Sequence, residues 1–101
     1  MKLSTRFVET VKTLDVCYGS CIRKNDRETL AISGRDVIYT LGIHDVAVAK
    51  VTDDGALVTL KGSSKEEIKE CRHIIKCFGA TVKFKGSATL HINTSEETLG
   101  V

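Results

Sequence analysis

The alternation of apolar and polar positions is clearest between Val46 and Phe84. Val46, Val48 and Val51 precede Asp53-Asp54-Gly55, and Leu57, Val58 and Leu60 follow it. Aliphatic and β-branched side chains pack well on a pleated surface. Asp tolerates left-handed backbone angles and Gly occupies them at little steric cost, so the three residues predict the turn of a hairpin. Ser64-Lys-Glu-Glu67 matches a capping box, in which the Ser oxygen takes the Glu67 amide proton and Glu67 reaches back. Ile68, Cys71, Ile74, Ile75 and Phe78 then recur at helical spacing, with Lys65, Glu66, Lys69, Glu70 and Lys76 mostly on the opposite side. Gly79 stands where a helix C-terminal glycine belongs. Thr81–Lys85 predicts a strand, with Val82 and Phe84 alternating with lysines.

The flanking regions are shorter in period. Ser4–Leu14 predicts a helix through Phe7, Val8, Val11 and Leu14, and Val16–Arg23 and Thr29–Ile32 predict strands. Ser33–Leu41 predicts a short helix capped by Ser33, with Val37, Ile38 and Leu41 facing inward and Gly42 ending it. Gly86-Ser87 makes a bend, and Ala88, Leu90 and Ile92 alternate with Thr89, His91 and Asn93 as a last strand. The expected order is α-β-β-α-β-β-α-β-β. From Thr29 onward this also fits a βαββαβ ferredoxin-like order. The fold class is α+β, a small two-layer sandwich with one main amphipathic helix over 64–78 packed on a mostly antiparallel sheet.

Composition narrows this little. A chain of 101 residues, 42% hydrophobic and 28% charged, is a single domain with a modest core. It divides into an N-terminal helical segment at 1–15, a strand-helix-hairpin part at 16–62, a helix with closing strands at 63–93, and a loose tail at 94–101. No apolar run approaches the length of about 18 residues that crosses a membrane, and the first residues lack the apolar stretch of a secretory signal. A cytoplasmic location with reduced cysteines is expected.

Candidate chemistry is sparse. Cys17 and Cys21 have three residues between them, but Cys71 and Cys77, with His73 between them, are six apart on a helix and point to different sides. This departs from the two paired halves that zinc sites use, and no metal is expected. His44 stands beside Asp45, but adjacent strand residues face opposite ways. No nucleophile motif and no glycine-rich phosphate loop occurs. The chain is expected to be non-enzymatic and to need no cofactor. Basic residues give the one partner signal. Arg23, Lys24 and Arg27 surround the first turn, Arg35 opens the short helix nearby, and these four are the candidate phosphate contacts for double-stranded DNA. The bland alternative is a solvated hairpin tip. Lys61, Lys83 and Lys85 form a second basic patch.

Residues 19–62 carry a family resemblance. Ile22-Arg-Lys-Asn-Asp26, Leu30-Ala-Ile32, Thr40-Leu-Gly-Ile43, Asp45, Val51-Thr-Asp-Asp-Gly55 and Val58-Thr-Leu-Lys61 resemble the AbrB/SpoVT-type swapped-hairpin DNA-binding family. The resemblance implies a short helix ending in Leu-Gly-Ile, an interlaced dimer and DNA held by arginines. Gly34 stands where that family has a proline, and Ile38 and Tyr39 where it often has arginines, so only Arg23 and Lys24 carry over as contacts. Residues 46–92 also look like a BON-type module, which implies binding to phospholipid or another protein. The expected function is a dimeric DNA-binding transcriptional regulator. The alternative is a protein- or ligand-interaction module of ferredoxin-like or BON-like form without nucleic-acid binding.

Overall fold

The computed structural model describes residues 2–13, 17–23 and 26–93, with side chains described for 2–13 and 26–93. The elements run α1 (Leu3–Thr13), β1 (Cys17–Arg23), β2 (Glu28–Gly34), β3 (Asp36–Leu41), β4 (His44–Thr52), β5 (Gly55–Lys61), α2 (Lys65–Cys77) and β6 (Ser87–Ile92). The fold is α+β: the six strands form one sheet in the order β1-β2-β3-β4-β5-β6, every neighbouring pair antiparallel.

Both helices lie on one face of that sheet. α1 packs against α2, β2 and β3, and α2 packs against β4 and β5. The register explains why. Leu30 faces Tyr39, Tyr39 faces Ala47, Ala47 faces Leu60 and Leu60 faces Ala88. Opposed residues of an antiparallel pair share a face, so these rows form the covered side. Leu30, Tyr39, Val58, Leu60, Phe7, Val11 and Ile74 are fully buried there. Fully burying each such side chain is worth about 1.5–3 kcal/mol. The other face is polar, with Thr40, Lys50, Thr59, Lys61, Thr89 and His91 on it; Ile38 and Val48 are half-buried near its centre.

α2 begins as its sequence predicts. The Ser64 side chain accepts from the Glu67 amide, and the Glu67 carboxylate accepts from the Ser63 and Ser64 amides. The 46–61 hairpin and the last strand also form. Gly55 opens β5 where the backbone of Ile92 comes so close that a Cβ would overlap the Ile92 carbonyl.

Two elements differ from the sequence reading. Residues 36–41 form strand β3, not a helix. The residues Asp-Val-Ile-Tyr-Thr-Leu alternate as well as they recur at helical spacing, and β-branched and aromatic side chains favour the pleated form. Gly34 adopts φ 60° and, with Arg35, makes a two-residue turn from β2 into β3. Tyr39 therefore points into the core, its hydroxyl donating to Glu28 at 2.8 Å, while Ile38 faces the open side. The helix expected before Leu41-Gly42-Ile43 is thus absent, and so is the ferredoxin-like crossover order. The strand-helix-hairpin part at 16–62 is five consecutive strands.

Residues 81–85 do not form a strand. The place beside β5 is taken by β6, which pairs with it from Ser87 to Ile92. Phe84 is buried and Val82 is 45% exposed, so the segment contributes an anchor without a ladder. Leu14, Val16 and the tail expected at 94–101 lie outside the described residues.

Candidate anion-binding cleft

The two ends of α2 carry different chemistry. In its C-terminal half, Arg72 and Lys76 stand four residues apart and so share one helix face. Gly79, at φ 75°, ends the helix and lets the chain fold back. The returning segment brings Lys83 and Lys85 to the same place. Together these four cations line a cleft of about 550 Å³, with Ile75, Val82 and Phe84 as apolar lining and no carboxylate on its walls. None of the four makes an ion pair or a side-chain hydrogen bond with another described residue. Unpaired cations around a concave, partly apolar surface attract anions, and the attraction weakens with salt.

The N-terminal end of α2 faces a second cleft, of about 560 Å³, lined by Ile43, His44, Asp45, Lys61, Ser63 and Glu67. Here the central carboxylate, Glu67, is engaged by its neighbours, while Lys61 makes no ion pair with another described residue. His44 Nδ1 lies 2.9 Å from Glu67 Oε2 and donates to it; Oε1 accepts from the Ser63 amide at 2.9 Å. The Ser63 amide and the imidazole hold the Glu67 carboxyl down at about 2, outweighing the opposing effect of burial. Asp45 accepts from the Thr40 hydroxyl at 3.0 Å. A fixed carboxylate that orients one imidazole nitrogen leaves the other facing outward, and the His44 side chain is 62% exposed.

The residues predicted as phosphate contacts are not gathered at one end. Arg27 immediately precedes β2 and Arg35 follows it, so a seven-residue strand of about 20 Å separates them. Arg35 lies in the β2–β3 turn, 2.7 Å from Asp53 Oδ1. Arg27 is paired with Glu66 at the start of α2. The backbone of Arg23 ends β1 beside Thr29, but its side chain, and Lys24 altogether, lie outside the described residues. Lys83 and Lys85 do form a basic surface, with Arg72 and Lys76 in place of Lys61.

The remaining candidates are separate. Cys71 is fully buried, and burial pushes its thiol up to about 11, which suits an inert core position. His73 Nε2 lies 2.7 Å from the Thr5 hydroxyl and 3.4 Å from Cys77 Sγ, tying α1 to α2. Among the described residues no group of three or more His, Cys, Asp or Glu side chains is arranged to hold a metal. The side chains of Cys17 and Cys21 are outside the described residues. No described helix is long and apolar enough to cross a membrane.

No family model matches the chain, and no solved structure does. Among curated proteins, it is 29% identical over 83 residues to a UDP-N-acetylglucosamine 1-carboxyvinyltransferase of Dichelobacter nodosus, a match covering 82% of this chain and 20% of that protein. The chain thus spans about a fifth of the length of the curated relative it resembles.

Proposed function

We propose that the chain is a binding module for a phosphate-bearing ligand, held in the cleft of Arg72, Lys76, Lys83 and Lys85. The observation that carries this reading is the set of four cations, none paired with another described residue, around an apolar lining without a described carboxylate. The volume falls within the range of small-molecule sites, about 300–1,000 Å³. The Dichelobacter protein gives independent support: its name places UDP-N-acetylglucosamine, a nucleotide sugar with two phosphates, among its ligands. A ligand of that class would set its phosphates against the cations and its less polar part against Val82 and Ile75. The reading assigns no reaction to the chain.

Titration calorimetry with UDP-N-acetylglucosamine and with inorganic pyrophosphate, at low and at physiological salt, tests it. Binding that weakens with salt, and that drops at least about tenfold in Arg72→Glu/Lys83→Glu, is expected. Absence of binding to either probe at low salt would remove the reading.

The dimeric DNA-binding regulator is a less supported proposal. It rests on Arg23 and Lys24, because Arg27 and Arg35 are engaged with carboxylates. Random duplex DNA in the same assay separates the two. Tight, salt-sensitive binding lost in Arg23→Ala/Lys24→Ala, and kept in Arg72→Glu/Lys83→Glu, would favour the regulator.

A further inference from the structure

The sheet has two outer strands, β1 and β6, and they are built differently. β1 shifts register against β2 between Cys17 and Ser20, includes Gly19, and ends on Arg23. Bulges and cations are the usual means by which an edge strand avoids pairing with another chain. β6 has neither. Its residues Ser-Ala-Thr-Leu-His-Ile pair with β5 from Ser87 to Ile92 without a shift. They include no Lys, Arg, Asp, Glu or Pro.

The outward backbone groups of β6 have no backbone partner among the described residues. Among the described residues, no backbone hydrogen bond outside the strand ladders reaches Ser87–Ile92. Ala88 and Ile92, on the helix-covered face, are only half-buried. An edge of this kind is a template for an added strand.

We propose that β6 pairs antiparallel with β6 of a second copy of this chain, joining the two sheets into one. Self-complementarity selects the partner. A two-fold axis at Leu90 sets Leu90 against its own counterpart and Ala88 against the Ile92 of the second copy, all on the covered face. It sets Thr89 against His91 on the open face. Apolar residues meet apolar ones and polar residues meet polar ones, as an isologous interface requires. No charged pair opposes the approach along the strand. This inference rests on the edge alone and is independent of the anion-binding cleft.

Sedimentation velocity over a concentration series, with amide hydrogen exchange at residues 87–92, tests it. The wild-type chain is expected to show a concentration-dependent dimer whose formation slows exchange at those amides. Thr89→Lys/His91→Lys places like charges across the axis from exposed positions, so the thermal melt should hold while dimerisation weakens at least tenfold. Thr89→Lys/His91→Glu sets opposite charges against one another and should restore the dimer. A chain that stays monomeric at every concentration would overturn the inference. So would a dimer indifferent to these substitutions, or one that leaves the 87–92 amides unprotected.

Discussion

The two ends of α2 use charge in opposite ways. At the N-terminal end, Glu67 is nearly buried and is held by the Ser63 and Ser64 amides and by His44, so its charge serves the cap and tethers the β3–β4 turn. At the C-terminal end, Arg72 and Lys76 join Lys83 and Lys85, and none of them pairs with another described residue. Cations near a helix C-terminus favour the macrodipole, but each gains only about 0.3–1 kcal/mol from it. A structural requirement explains the first cluster in full and the second only in part. Charge that the fold itself does not use is the better pointer to a ligand.

The largest effect should come from the residue the basic cleft shares with the core. Ile75 is 5% exposed. Ile75→Asp buries an unpaired carboxylate and should cost about 4 kcal/mol or more, abolishing the cooperative melt seen by circular dichroism. A folded Ile75→Asp chain would mean that the cleft is not built on the core.

The N-terminal cluster should matter to stability and not to ligand. Glu67→Gln should lower stability by about 1–2 kcal/mol at neutral pH, measured by urea denaturation, with pyrophosphate affinity unchanged. The folded-state carboxyl is depressed to about 2, below its ordinary value of 4.5. Its contribution is therefore complete above about pH 4.5 and declines as pH falls through about 2. The difference between wild type and Glu67→Gln should shrink across that window. A difference that stays constant down to pH 2 would show that the carboxylate charge is not what holds the cap.

The C-terminal cluster should behave in the reverse way. Lys76→Ala and Lys85→Ala should each leave stability within about 0.5 kcal/mol while weakening anion binding, because exposed cations without partners contribute little to folding. The smallest effect is expected at Arg35, whose ion pair with Asp53 is on the surface, the two side chains 47% and 87% exposed. Arg35→Ala should change stability by under about 0.5 kcal/mol and leave anion binding intact. Loss of binding there would move the site to the opposite end of the sheet.

Much of the fold is legible in the sequence where two local signals agree. Ser64 and Glu67 cap the same helix whose apolar stripe runs from Ile68 to Phe78, and Asp53-Asp54-Gly55 separates two runs of strand formers. Where one signal stands alone it can mislead. Val37, Ile38 and Leu41 fit a helix face, yet Val37, Tyr39 and Leu41 fit a strand equally well. Residues 81–85 alternate like a strand, but the place beside β5 is taken by β6.

The candidate sites are less legible. Lys83 and Lys85 stand out as a basic pair in the sequence, but nothing local links them to Arg72 and Lys76. The link is made by the reversal at Gly79, which folds the chain back along α2. His44 and Glu67 are 23 residues apart, and each has a local role that conceals the contact.

The sequence by itself determined the α+β class, the capped helix, the central hairpin and the last strand, because capping, turn chemistry and periodicity act over a few residues. Tertiary structure alone decided that 36–41 is a strand, that the sheet is antiparallel throughout with its strands in sequence order, and that β6 is an edge strand with no further strand beside it among the described residues. It also decided which charges are spent and which remain available. Those outcomes depend on which backbone groups find partners and which side chains meet across the chain, and both are set by the packing of distant segments.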